Sequence, residues 1–282
     1  MIADQKDFIT PHITDSHTLD YPCLHTGFVC EYELPRWSPI HIGRLALDIS
    51  PTRHVVMLWI AALLCIATTL LALRAHNRRT REGKAPSGLG NGLEALVLYL
   101  RNEVVIPNVG PHGNGYVPYL LTIFFFILFA NLLGLVPYGA TATGNISVTG
   151  TLAIVTFLVI ELAGIKAQGW RYINTIVFWP HDMALAIKLP ITFILTPIEI
   201  FGKFTKPFAL AVRLFANMVS GHVVLLALIS LIFVFGSWIL VPAPILIALS
   251  ISLLELFVAF LQAFIFTLLS SVFIGLIREG AH

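Results

Sequence analysis

Charge is what this chain has least of. Only 11% of its 282 residues are Asp, Glu, Lys or Arg, where an ordinary soluble domain carries roughly 25%. Hydrophobic residues make up 57%, and the mean hydropathy is +0.86. A soluble fold of this length cannot hide so much apolar surface, so much of it is expected to face lipid or other membrane helices. The net charge of +2 and the lack of a basic-aromatic patch exclude nucleic acid as a partner. Three cysteines are present, none at metal-ligand spacing, so neither a metal nor another cofactor is expected. No G-x-x-x-x-G-K-[ST] run occurs, which removes a P-loop nucleotide site. Residues 1–20 contain no continuous apolar stretch, and no secretory signal peptide is expected. The arm up to residue 54 has no strong hydrophobic period and is expected to be irregular. Within it, Cys23 and Cys30 either pair, if the compartment is oxidising, or stay free thiols; Cys65 lies in an apolar run.

Long uncharged runs take the place of charge. About 20 apolar residues cross the hydrocarbon core. Val55 to Leu73 does so without a charge. Pro118 to Val136, rich in Phe, is interrupted only by Asn131, and Val148 to Ile165 carries Glu161 near one end. Further on, Pro207 to Phe235 and Pro242 to Ile277 read as two long apolar helices joined by a turn at Gly236 to Val241. At 1.5 Å per residue they would run roughly 40 and 50 Å, beyond the ~30 Å core. Excess length is taken up by inclination, so a strongly tilted hairpin is expected. Between the first two spans, Leu93, Leu96, Val97, Leu100 and Val104 share one face of a helix from Asn91 to Val105. Asn91 and Glu94 suit its start. This amphipathic helix fits the cytoplasmic membrane surface or a soluble partner equally well. The fold class is therefore an all-α membrane protein of about five transmembrane helices with an interfacial helix. Residues 1–54 form an outer arm and residues 55–282 the membrane-embedded domain.

Basic residues orient the spans. Arg74, Arg78, Arg79, Arg81 and Lys84 follow the first span against a single Glu82, so that loop is expected in the cytoplasm and the N-terminus outside. The uncharged stretch from Pro137 to Ser147 suits the outer face. The loop from Lys166 to Lys188 carries three basic residues against Asp182 and returns inside, as does the C-terminus near Arg278.

From Pro207 to Ile277 the only formal charges are Arg213 and Glu255, joined by one histidine, His222. Ionisable groups within a membrane are costly and mark function by default. Arg213 lies seven residues beyond Lys206, roughly 10 Å along a helix, so snorkelling to the interface is a strained alternative. An arginine stays protonated and cannot carry a proton. It can favour the ionised form of a nearby carboxylate and repel a free proton. The positions one turn away hold Ala209, Leu210, Ala216 and Asn217, so the carboxylate is expected from another protein.

Folding the hairpin at its turn brings His222 and Glu255 to similar depth, facing each other if the helix rotations allow. Arg213 falls near the level of Gln262 and Phe266. Arg213 and His222, nine residues apart, point about 180° from each other. Two polar regions result. His222 with Glu255 forms either a proton-exchanging site open to the outside or a buried pair that satisfies both helices. Glu199, with Lys203 and Lys206, either lines an inner vestibule at the start of the long helix or is an interfacial salt-bridged acid. Asn131 and Glu161 read as glue between neighbouring helices.

Three runs carry a family resemblance: L-A-V-R-L-F-A-N-M-V-S-G-H from Leu210 to His222, L-Q-A-F-I-F from Leu261 to Phe266, and N-L-L-G-L-V-P from Asn131 to Pro137. From Val55 onward the chain resembles subunit a of F-type ATP synthases. The resemblance implies a non-catalytic stator in a bacterial inner membrane, beside a rotating ring of c subunits that each carry one essential carboxylate. It also implies peripheral-stalk b subunits and the rest of the complex as partners. On this resemblance Arg213 is the invariant arginine that the carboxylate passes, with Asn217 and Gln262 as polar neighbours. Glu199 corresponds to the acid of the cytoplasmic half-channel, and His222 and Glu255 to the outer pair, in the reverse of the order many bacterial members carry. A secondary ion-coupled transporter is the alternative within membrane transport, but such folds show internal repeats and broken helices, and no convincing repeat is present. An intramembrane hydrolase using Ser220 and His222 lacks any supporting motif and leaves Arg213 without a role.

Overall fold

A computed structural model describes residues 15–21, 30–42, 45–48, 50–81, 89–111, 113–136, 139–172, 185–235 and 241–279. Among the described residues, seven α-helices follow one another: α1 (Arg53–Arg81), α2 (Leu89–Tyr99), α3 (Ile106–Val109), α4 (Val117–Leu135), α5 (Ile146–Gln168), α6 (Leu185–Phe235) and α7 (Pro242–Glu279). Among the described residues, five of them (α1, α4, α5, α6 and α7) are long and apolar enough to cross a membrane. Helices satisfy their backbone groups internally, which hydrocarbon requires of any spanning segment. The fold is an all-α membrane protein whose last two helices form a long hairpin-like pair.

Four local expectations change. The penultimate helix begins at Leu185 rather than Pro207 and contains Pro190, Pro197 and Pro207. Each proline removes one backbone bond, a loss that membrane helices offset through neighbouring groups. Glu199 is therefore well inside α6, not at its start. The arginines after the first span continue the helix to Arg81. The helix expected from Asn91 to Val105 is α-helical only to Tyr99; Leu100–Val105 forms a π-helix in which the Ile106 N–H reaches back to the Arg101 carbonyl. Pro107 lies just beyond it and has no N–H to offer, so a regular ladder could not run through. Asn108 Nδ2 instead donates to the Val104 carbonyl at 2.6 Å.

The described residues of the arm are not irregular throughout. Strands β1 (Thr18–Tyr21) and β2 (Cys30–Glu33) pair antiparallel with Thr18 opposite Glu33. Strands β3 (Ile40–Ile42) and β4 (Leu45–Leu47) pair likewise, with Ile40 opposite Leu47. Cys30 is disulfide-bonded; Cys23, which the sequence left either as its partner or as a free thiol, lies outside the described residues. So does the turn at residues 236–240. Ser50 donates its hydroxyl and its amide to Asp48 at 2.5 and 2.9 Å, and these bonds hold the Asp48 carboxyl below the usual carboxylate range.

The described residues fall into two compact units. The first takes in residues up to Thr69 together with Phe125–Val148 and Leu214–Gln262. The second takes in Leu70–Phe124, Thr149–Arg213 and the chain from Ala263 onward. In the first, the Arg53 amide bonds the Ser16 carbonyl at 2.9 Å, tying the arm to the start of α1. In the second, Val105, Val109, Leu120, Ile160 and Ile274 form the buried core. There α7 approaches α3 so closely that a Cβ on Gly275 would overlap the Asn108 carbonyl. Arg278, in the last turn of α7, donates to the carbonyls of Val109 and Pro111 at 3.1 and 3.0 Å, a cation at a helix C-terminus where the dipole favours it.

Candidate functional site

In the first unit, Glu255 is the buried acid of α7, only 9% exposed. Its Oε2 is buried and has no hydrogen-bond partner. The side chain lies against Gly221 of α6, where a Cβ would overlap Glu255 Oε1. Glycine at 221 is thus what lets the carboxyl reach α6, one residue before His222. The histidine does not pair with the acid: its Nε2 meets the Thr141 hydroxyl. Thr141 in turn sits over Gly134, where a Cβ would overlap its Oγ1. Below this, Thr143 donates to Asn131 Oδ1 at 2.6 Å, and Asn131 Nδ2 donates to the Ala259 carbonyl at 3.2 Å. Asn131 is fully buried and ties the α4–α5 turn to α7, as expected of polar glue. Gln262 is buried on α7 and Asn217 is exposed on α6.

The second unit holds the other polar site. Glu161 of α5 and Glu199, Lys203 and Lys206 of α6 line a cavity of about 130 Å³, whose apolar wall includes Phe157 and Phe273. Lys203 Nζ lies 3.5 Å from Glu161 Oε2 and donates to the Tyr172 hydroxyl at 2.8 Å. Lys206 stands over the Phe273 ring, 5.3 Å from its centroid. Glu161, read from the sequence as glue, is therefore a charged wall of the cavity. Arg213 also belongs to this unit and is exposed.

Sequence reasoning passed over Thr141, Gly134, Gly221 and Tyr172. The first three had no signal, since a threonine in an uncharged turn and a glycine in a helix are ordinary. Opposite charges at Glu161 and Lys203, each near the end of an apolar run, were the one hint of pairing.

Five spans with an unpaired buried carboxyl beside a histidine, and a separate cavity lined by two acids and two lysines, define a membrane subunit of the ion-translocating class. The family model described as ATP synthase A chain matches residues 55–275. The chain is 46% identical over 278 residues to "ATP synthase subunit a 2" of Chlorobaculum tepidum, covering 97% of this chain and 74% of that one. It is 46% identical over 266 residues to "ATP synthase subunit a" of Chloroherpeton thalassium, covering 94% and 74%. Against "ATP synthase subunit a" of Anaeromyxobacter dehalogenans the identity is 45% over 275 residues, covering 95% and 70%. The chain belongs to the ATP synthase A chain family.

Proposed function

We propose that this chain is the stator subunit of the membrane sector of an F-type ATP synthase, forming the two half-channels that pass protons to and from a rotating ring of c subunits. Glu255 carries the reading: a carboxyl buried with one oxygen lacking a hydrogen bond is poorly explained as a strut, because an unsatisfied polar group costs about 1–3 kcal/mol. It is well explained as a group that accepts and releases a proton.

A proton from the outside reaches the His222–Glu255 region and passes to a ring carboxylate, which then enters lipid as the neutral acid, since its charged form would be costly there. After nearly a full rotation the acid loses its proton into the cavity lined by Glu199. Arg213, permanently charged, favours the ionised carboxylate as it passes and repels protons that would cross directly. Asn217 and Gln262 are polar neighbours of that passage. The chain has no catalytic step of its own; torque goes to the soluble subunits, and peripheral-stalk b subunits hold the stator still. Residues 1–54 form the outer arm and 55–282 the membrane domain. The N-terminus lies outside and the C-terminus in the cytoplasm of a bacterial inner membrane, by the distribution of Arg and Lys.

The test is ATP-driven proton uptake by vesicles containing the assembled complex, comparing the parent with Arg213→Ala and Arg213→Lys. Pumping is lost in both while ATP hydrolysis by the detached catalytic part persists, and Arg213→Ala also leaks protons passively. Normal pumping in both variants would remove the proposed role of the arginine.

A further inference from the structure

We propose that Asp15, His54 and Asn145 form a second proton-binding station, on the outer side, that loads the half-channel at His222. The inference rests on the function proposed above and adds to it a site made by the arm.

His54 stands in the first turn of α1 with its side chain 6% exposed, and its Nδ1 lies 3.2 Å from Asp15 Oδ1, on a side chain 29% exposed. The same nitrogen lies 3.3 Å from Asn145 Nδ2. Asn145 Oδ1 is already taken by the Ser147 amide at 2.9 Å, so the amide end turned to the ring is the donor. A donor and an acceptor therefore compete for one ring nitrogen. Protonated, Nδ1 donates to Asp15; deprotonated, it accepts from Asn145. Both states find a partner, so the ring gains or loses a proton without leaving Nδ1 unsatisfied.

The surrounding charges suit this exchange. Asp15 Oδ1 also receives the His54 amide at 3.3 Å, at the N-terminus of α1, where the helix dipole favours a negative group. The other charged neighbour is Arg53, whose guanidinium donates to the Gly139 carbonyl at 3.3 Å. The α4–α5 turn opposite presents uncharged groups. That turn also joins the two histidines: Asn145 meets His54, Thr141 meets His222, and the Gly144 and Asn145 amides close it onto Thr141 and Ala142 at 2.8 and 3.2 Å. A hydronium ion on the outer side gives its proton to Nδ1 of His54 and leaves as water. The proton is held against Asp15, and on release toward His222 the N–H bond breaks as water takes the proton up again.

The experiment is ATP synthesis by vesicles bearing the assembled complex, driven by an imposed proton gradient while the pH of the proton-source side is varied. His54→Asn and Asp15→Asn are compared with the parent. His54→Asn reaches the parent rate at low source-side pH but falls away earlier as that pH rises, a displacement of about one pH unit, or tenfold in proton concentration. Asp15→Asn moves the curve the same way by less, and neither variant alters the dependence on sink-side pH. Source-side curves that coincide with the parent's would overturn the station. A uniform loss at every pH, matched by less assembled complex, would overturn it too and make His54 a clamp for the arm. Arg213→Ala in the same vesicles separates the two proposals: coupled synthesis surviving there defeats the stator mechanism, whatever His54 does.

Discussion

Around His222 and Glu255 the chain makes room by leaving side chains out; around Glu199 it keeps a cavity and puts charge on the wall. In the first case Gly221 and Gly134 lie under Glu255 and Thr141, and His222 meets the Thr141 hydroxyl. In the second, Lys203 is shared between Glu161 and Tyr172, and Lys206 lies over an aromatic ring. The contrast follows from what each site must tolerate. A buried carboxyl in a tightly packed helix pair exchanges a proton only if its position is held by shape, since no counter-ion is there to hold it. A cavity lined by two acids and two lysines keeps its formal charge near neutral and loses little when one partner changes.

The largest effect should therefore come from steric change at the tight site. Gly221→Val pushes the Glu255 carboxyl away and lowers ATP-driven proton uptake by on the order of tenfold or more, as overpacking by about 1–3 kcal/mol would. Shortening the acid in the same chain, Glu255→Asp, returns part of the rate; no recovery would separate the clash from the carboxyl. Next comes Thr141→Val, which keeps shape but removes the partner of His222. Uptake drops severalfold, in line with about 1 kcal/mol for a lost hydrogen bond, and Thr141→Ser restores it.

The open site should respond less. Glu161→Gln removes the carboxylate from Lys203 but leaves Tyr172 in place, and stability changes by no more than about 1 kcal/mol. A double-mutant cycle with Lys203→Met, read from thermal release of the chain from the detergent-solubilised complex, measures the coupling. A value well above that limit would mean the cavity is as dry as the other site. The smallest effect lies outside both. Because Ser50 holds Asp48 below the usual range, the folded arm gains stability above the ordinary carboxylate value and loses it as pH falls through the depressed one. Ser50→Ala moves the Asp48 titration upward, toward the ordinary carboxylate range, visible in the carboxyl carbon resonance of labelled aspartate.

Much of the fold was legible because spanning helices announce themselves by length of apolar run. The second and last spanning helices lie within two residues, and the third within three, of where the sequence put them. The start of α6 was not legible, since prolines at 190, 197 and 207 argue locally against a helix that the structure runs through all three. The arm's strands were also missed: four- and three-residue strands are too short to show a period. At the candidate site, the depth match of His222 and Glu255 followed from counting residues around the turn, and Glu255 does reach α6 at Gly221. Counting could not tell that His222 would turn to Thr141 instead.

By itself, then, the sequence determined the number of spans, the presence of charge within them, and the motifs that carry the family. Each of these is a property of one segment and its own backbone or residue order. Tertiary structure alone decided that Glu255 lies on Gly221, that Thr141 meets His222, that Glu161 and Lys203 share a cavity wall, and that Asp15 meets His54. Those meetings join residues from 34 positions apart, Gly221 with Glu255, to 81 apart, Thr141 with His222. They depend on how each helix is rotated against its neighbour, which no local pattern encodes.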